Sequence, residues 1–386
     1  MKGSINLVAA AFALTAVSYG LARFAYGLFL PQISEDLALD VIAAGWIGGC
    51  AFAAYCLGIL FTFIASGKLG PRAIALCAGA AATLGMTLVA FASSAWSMGI
   101  GIALAGLSTG LTSPPLATAV AKMFETQDRP KANATINSGT AAGIVFSGLA
   151  ALAVVGAWRE LYGVFALIGF GVTLWIFYAV PATDHGSDRQ KLSVAILKRP
   201  GLLTLCISAF IAGASSTAIW TFGASILRED FAFNDSEIAW AWVALGIAGI
   251  SGSLTGMLTT RFGSGWVHGS ALLGMALAMI GLAATSYSAI IGFATMIIFG
   301  TAYIISTGAY LIQGIDLLPD RPDLGLGIPF LVIALGQSVG TPLFGATLDA
   351  LGTVWALVAF AVLACLAVPI RPQLAATSLP CSPMNL

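Results

Sequence analysis

Arg23 is the one charged residue in an apolar stretch from position 6 to position 30, and Thr15, Tyr19, Arg23 and Tyr26 follow one another at steps of four, four and three. At that spacing a helix carries all four on one face, with Gly20 and Gly27 beside them. Polar groups stacked on one side of a lipid-crossing helix must face a cavity or another helix, because lipid offers no hydrogen bonds. A guanidinium is a permanent cation with five N–H donors. Holding one at membrane depth costs at least ~2.5–3.5 kcal/mol, so it needs a partner, a wet cavity or a path to the surface. No carboxylate lies deep in a comparable stretch: Glu160 and Asp349 fall near outer ends and Asp316 at an inner end. An anionic substrate, a carboxylate foremost, can bring the missing charge through a bidentate contact. The competing reading is structural: Arg23 reaches outward, or pairs with Glu35 or Asp36 to lock an outer gate.

Tyr303, Thr307, Tyr310 and Gln313 form a second stripe, at steps of four, three and three, that could line the facing wall. Thr112, Asn137, Trp220 and Gln337 add groups able to bond or stack against a small ligand. Each of these taken alone is better explained as glue between helices. Pro114, Pro115 and Pro342 interrupt otherwise helical stretches and give either hinges or tolerated kinks. Asp349 is the remaining candidate for a gating or proton-carrying carboxylate. His185 and His268 are read as lying in connections, so a dedicated intramembrane acid or histidine for energy coupling is not expected. Anion exchange, facilitated diffusion or a proton carried on the substrate fits this inventory better. The sequence shows no catalytic constellation, metal-ligand cluster or Gly-x-x-x-x-Gly-Lys loop, so neither an enzyme nor an ATP-driven pump is expected, and no cofactor or metal.

The elements that must position these residues follow from composition. Of 386 residues, 59% are apolar and 8% charged, against about 25% charged in soluble domains, so a water-soluble enzyme is excluded. Sixteen basic residues balance sixteen acidic ones, which leaves no field for nucleic acid. Cys50, Cys56, Cys77, Cys206 and Cys365 lie in apolar runs and read as small hydrophobes, with Cys381 near the end. Twelve stretches reach spanning length: 6–30, 41–65, 73–92, 97–120, 134–155, 161–181, 201–226, 238–260, 267–285, 289–314, 327–348 and 353–370. The first is too long for a signal-peptide core and is read as retained. An even count places both ends on one side. If that side is the cytoplasm it holds thirteen of the sixteen basic residues, with Arg159 and Arg228 outside and Arg23 within a span.

The chain is also duplicated. Gly139, Gly143 and Gly148 recur as Gly336, Gly340 and Gly345, offset by 197 residues. The turn Gly67-Lys68-Leu69-Gly70-Pro71-Arg72 matches Thr260-Arg261-Phe262-Gly263-Ser264-Gly265 at 193, and Gly106 matches Gly300 at 194. Repeats of six spans in one order imply parallel halves related by an axis along the membrane normal. Residues 1–181 are expected to form an N-terminal six-helix bundle, 182–199 a cytoplasmic linker, 200–371 a C-terminal bundle and 372–386 a cytoplasmic tail. The position matching Arg23 is near Ser216, so the charge itself is not repeated.

With Tyr19-Gly20-Leu21-Ala22-Arg23-Phe24-Ala25-Tyr26-Gly27 and Pro31 at its start, the whole chain resembles a twelve-helix member of the major facilitator superfamily, and its start is similar to the YbfB/YjiJ-like branch. The resemblance implies an all-α membrane protein of two pseudo-symmetric bundles that rock about a central cavity. Two departures narrow it. Gly67 stands where the superfamily's signature turn usually has Asp, which weakens a charge-relay gate, and Ile144 follows Gly143 where drug antiporters have Gly-Pro. The expected function is a secondary active or facilitative transporter of a small organic anion. The alternative is an exporter of amphipathic or neutral compounds. The protein is expected as a monomer in the inner membrane, both ends cytoplasmic, with protons or a counter-substrate as coupling partners.

Overall fold

The computed structural model describes residues 2–182, 196, 198–285 and 288–371. Most of the expected linker, with Asp184, His185, Asp188, Arg189 and Lys191, and the tail from 372 lie outside the described residues. The helices are α1 Gly3–Leu37, α2 Val41–Ala65, α3 Lys68–Ala90, α4 Ala95–Met123, α5 Arg129–Ala153, α6 Trp158–Ala179, α7 Leu202–Glu229, α8 Asp235–Phe262, α9 Ser264–Ala283, α10 Ala289–Leu317, α11 Leu324–Leu351 and α12 Thr353–Ala367. They form two pseudo-symmetric six-helix bundles, with no strand among the described residues. Eleven are long and apolar enough to cross a membrane, and α12, with 15 residues, is shorter. It stops at Ala367 rather than at 370 because Val368 precedes Pro369, a position biased away from helix.

The outer surface is that of a protein dissolved in lipid. On α2 the exposed large side chains are Ile42, Trp46, Leu57, Leu60, Phe61 and Ile64, one apolar stripe at helical spacing that hydrocarbon accepts and water would not. Helix ends repeat between the halves in backbone detail. Left-handed residues close α1 at Ala38 (φ 49°) and precede α8 at Ala232 (φ 56°), 194 residues apart. Gly70 (φ 71°) pairs with Gly263 (φ 83°), and Gly156 (φ 79°) with Gly352 (φ 76°). Asp40 caps α2 as Asn234 caps α8, and Ser94 caps α4 as Ser288 caps α10, each side chain accepting from a backbone N–H of the first turn.

The repeated glycines occupy equivalent joints. A β-carbon on Gly139 would stand 2.4 Å from the Phe12 carbonyl oxygen, and one on Gly336 would stand 2.1 Å from that of Phe210. Gly143 meets Ala16 as Gly340 meets Ala214, so α5 lies on α1 as α11 lies on α7. Gly148 and Gly345 instead face across the bundles, against Ala239 and Val243 of α8 and against Val41 and Gly45 of α2. Such approaches are what small residues permit between membrane helices. The α1–α7 register that they set is 198 residues, which matches Arg23 with Thr221 and not with Ser216. The charge is still unrepeated.

α1 also runs further than its apolar stretch. The polar run Gln32, Ser34, Glu35 and Asp36 stays helical until Ala38, which leaves Arg23 fourteen residues, about 21 Å, from the helix end rather than about 10 Å. On that side, opposite the chain ends, Asp36 accepts from Arg159 and from the Trp158 indole at 2.9 Å. Arg228 joins the bundles by reaching Glu35 at 3.5 Å, while it also binds Asp235 at 2.8 Å. Near the terminal side Arg199 binds Asp320 at 2.6 Å and holds that exposed carboxyl below its usual range.

Candidate functional site

The centre is organised by a local change in α1. Residues Ala16–Phe24 are wound as a π-helix, a wide turn that recurs at functional sites. Neighbours hold it there: Gly20 abuts the backbone of Gly143, the Thr109 hydroxyl donates to the Ser18 carbonyl at 3.0 Å, and the Thr112 hydroxyl donates to Ser18 Oγ at 2.9 Å. The π turn carries Arg23, buried at 6% exposure, into a box of four rings. Its guanidinium carbon lies 4.3 Å from the centre of Phe24, 4.8 Å from Tyr55, 5.1 Å from Tyr19 and 5.2 Å from Phe52.

Both structural explanations of Arg23 from the sequence are corrected by this geometry. It does not reach outward, and Glu35 and Asp36 are engaged with Arg228 and Arg159. Among the described residues it makes no ion pair, and its Nε and Nη1 are buried without a hydrogen-bond partner. The box touches the other bundle, since Phe24 stacks on Trp220 of α7 at 4.1 Å. Trp220 meets Trp242 at 6.1 Å and Tyr303 at 5.2 Å, both edge-on, and the indole N–H groups of both tryptophans are also buried without partners. The seam between the bundles is therefore rich in idle donors and in aromatic rings.

Other expected site residues divide. Tyr19 belongs to the box and shares a hydrogen bond with Ser113 at 2.9 Å. Gln337 belongs beside it, with its amide donating to Ser216 and to the Tyr303 hydroxyl, each at 3.2 Å. Tyr26 turns away and donates to the Ala44 carbonyl at 3.1 Å, while Thr15 bonds back to Ala11. Thr112 is interhelical glue, held by Ser18 and by the carbonyl of Ser108. Asn137 is exposed at a break in α5. The α10 stripe is a real face, but it runs along α7: Tyr303 reaches the centre, whereas Tyr310 meets Ser208 and Gln313 approaches the Ser264 carbonyl at 3.5 Å, both inside the C-terminal bundle. Pro114 lies within continuous α4, Pro342 packs against Gly49, and Asp349 is exposed near the end of α11. His268 is corrected outright. It lies in α9, fully buried, because the helix begins at Ser264 directly after the positive-φ Gly263.

Phe24, Phe52 and Tyr55 were missed. Only Tyr55, a hydroxyl in mid-span, gives a signal in the sequence, because the phenylalanines look like any lipid-facing residue. A separate cavity of about 770 Å³ opens between α8, α9 and α10, lined by Arg261, Trp266, Ile298 and Ile305. Its walls are largely apolar, and none of its lining residues belongs to the centre.

Comparison with known proteins agrees with this architecture. The Major Facilitator Superfamily model matches residues 12–209. The purine ribonucleoside efflux pump NepI of Salmonella typhimurium (strain LT2) is 23% identical over 351 residues, covering 88% of this chain and 88% of that protein. The same pump from Escherichia coli (strain K12) is 24% identical over 288 residues, covering 70% and 69%. Among solved structures, a bacterial homolog of the human lysosomal transporter Spinster, inward-facing and unoccupied, superposes with a TM-score of 0.79 at 14% identity over 95% of this chain and 96% of that one. The nucleoside transporter NupG gives 0.75 at 15% identity, over 96% and 99%. Taken with the matched family model, the twelve helices, their internal duplication and the joints that repeat it place this multi-pass membrane protein, a transporter and not an enzyme, in the Major Facilitator Superfamily.

Proposed function

We propose that the chain moves a small organic anion, a carboxylate foremost, by alternating access, with residues 1–181 and 200–371 as the two rocking bodies. One observation carries the reading: Arg23 is buried between the bundles with two donor nitrogens idle and no acidic partner among the described residues. A group of that kind costs energy until a ligand arrives, and a carboxylate meets it with charge-assisted hydrogen bonds in the guanidinium plane. The idle Trp220 and Trp242 N–H groups ask for acceptors as well. In this reading the chain ends are cytoplasmic and the conformation is open inward. Gly27 against the Trp220 carbonyl and the Arg228–Glu35 pair close the outer side. Toward the inner side Ser113 and Thr307 are half-buried and Asn137 is exposed.

A second reading, export of a nucleoside-like neutral compound, is favoured by the named activity of the NepI relatives and by Phe24, Trp220 and Tyr303, whose rings could stack on a planar base. Flux into proteoliposomes separates the two, with benzoate and inosine as probes. Saturable, trans-stimulated benzoate flux that is lost in Arg23→Lys supports the anion reading. Inosine flux that survives Arg23→Lys, with no benzoate flux in the unaltered protein, overturns it.

A further inference from the structure

The cavity of about 770 Å³ between α8, α9 and α10 combines two chemistries in its lining. Most of the wall is hydrocarbon, from Leu258, Val267, Ala271, Ile297, Ile298 and Ile305. The lining runs from Trp266 to Gly274 along α9 and from Ile297 to Ile305 along α10. That is about 12 Å of each helix, most of the ~15 Å depth of one hydrocarbon leaflet. On the side of the chain ends, where α8 turns into α9, the lining holds a cation. Arg261 is exposed there, with its guanidinium carbon 5.2 Å from the centre of the Phe262 ring. Among the described residues Arg261 forms no ion pair, and no carboxylate lines the cavity. Trp266, 73% exposed, lines the same cavity from the first turn of α9. A second cation, Arg371, lies against Gly269 of that helix, where a β-carbon would stand 2.8 Å from its terminal nitrogen.

The two halves differ at this seam. Gly106 and Gly300, 194 residues apart, each bring a helix onto a backbone carbonyl, that of Ala51 on α2 and that of Leu245 on α8. One turn further the match ends. A β-carbon on Gly110 would stand 2.3 Å from the Tyr55 carbonyl oxygen, so α4 again meets the α2 backbone. Ile304 stands at the matching place in α10. A β-carbon on Gly252, the counterpart of Gly58, would strike the Ile304 side chain at 2.1 Å. A side chain thus separates α8 from α10 where backbones meet between α2 and α4, and α8 is wound as a 3₁₀-helix over Gly249–Leu254 at the same point.

An apolar slot nearly as deep as a leaflet, with an unneutralised cation at one end, suits an amphiphile with an anionic head and a hydrocarbon tail. A phosphate accepts from the guanidinium, and methylenes cover walls that gain nothing from water. Basic pockets between spanning helices, with tryptophan at headgroup depth, are the setting in which proteins hold anionic lipids.

We propose that the cavity between α8, α9 and α10 binds one anionic phospholipid from the leaflet on the side of the chain ends, with its phosphate on Arg261 and one acyl chain in the slot. The test uses delipidated protein in a neutral detergent, incubated with equal amounts of dioleoylphosphatidylglycerol and dioleoylphosphatidylcholine and weighed intact by native mass spectrometry. One phosphatidylglycerol should be retained about fivefold or more over phosphatidylcholine, the worth of one cation near a lipid surface. Arg261→Gln should abolish that preference, and Thr301→Phe, which fills the slot, should lower retention. Lys68→Gln, which removes the matching cation of the other half, should change neither. Equal retention of the two lipids, or a preference that survives Arg261→Gln, overturns the phosphate contact. Retention untouched by Thr301→Phe overturns the slot, and a preference lost equally in Lys68→Gln shows only diffuse surface charge and overturns the site. Displacement of the lipid by an equal concentration of glycerol 3-phosphate makes the occupant a soluble phosphate and overturns the lipid. Location is read separately: brominated phosphatidylglycerol should quench the fluorescence that Trp266→Phe removes at a lower mole fraction than brominated phosphatidylcholine, and equal quenching by both overturns the assignment. No probe is benzoate or inosine, so a failure of the anion reading leaves these results as they are.

Discussion

Replacing Arg23 by methionine should make the resting protein more stable while removing its transport. The guanidinium at membrane depth costs about 2.5–3.5 kcal/mol, and the four rings at 4.3–5.2 Å return about 2 kcal/mol in a desolvated setting. Roughly 1 kcal/mol therefore stays uncompensated in the empty protein. Methionine has similar length and makes favourable sulfur–ring contacts, so it fills the box without that cost. The unfolding midpoint of Arg23→Met in detergent should rise by ~2 °C or more. Benzoate flux at subsaturating concentration should fall roughly 10- to 150-fold, the worth of losing about 1.5–3 kcal/mol of charge-assisted hydrogen bonding. The two readouts are chosen to move in opposite directions. A midpoint that drops by several degrees would make Arg23 a structural residue, and flux that stays near the unaltered rate would show that the idle donors meet no ligand.

Further outcomes follow from the joints and the network. Gly27→Ala places a β-carbon 2.1 Å from the Trp220 carbonyl oxygen, so the outer side cannot close, and a cysteine at Ala44 should become more reactive to an impermeant thiol reagent added from outside. Gly143→Ala meets the Ala16 carbonyl at 2.3 Å and should lower stability by ~1–3 kcal/mol, read as a fall in the thermal midpoint. Gln337→Leu leaves the buried Ser216 and Tyr303 hydroxyls short of a donor and should cost ~1–3 kcal/mol, visible in the same assay. Arg228→Ala breaks the one ion pair found between the bundles among the described residues, and because Glu35 is largely exposed, it should cost at most ~1 kcal/mol while raising outward accessibility of Ala44→Cys.

The sequence alone determined the solvent, the span pattern, the duplication and the oddity of Arg23. Each is a matter of composition or periodicity. Twenty apolar residues can be counted, a glycine spacing repeated at 197 residues can be aligned, and a cation without a nearby acid can be noticed. Tertiary structure decided what such counting cannot reach. The π turn that aims Arg23 lies where Gly20 and Gly143 meet backbone on backbone, a contact between residues far apart in the chain. Phe24, Phe52 and Tyr55 became a cation box, and Glu35 and Asp36 were taken by Arg228 and Arg159, through the packing of separate helices. His268 moved from a presumed connection to a buried ring because α9 begins at Ser264, where Gly-Ser-Gly looks like a turn until Gly263 alone supplies it. Local pattern fixes which residues meet lipid, because lipid contact is a property of each helix by itself. Which polar groups meet one another depends on helix rotation and register, and these are set only when the bundles close.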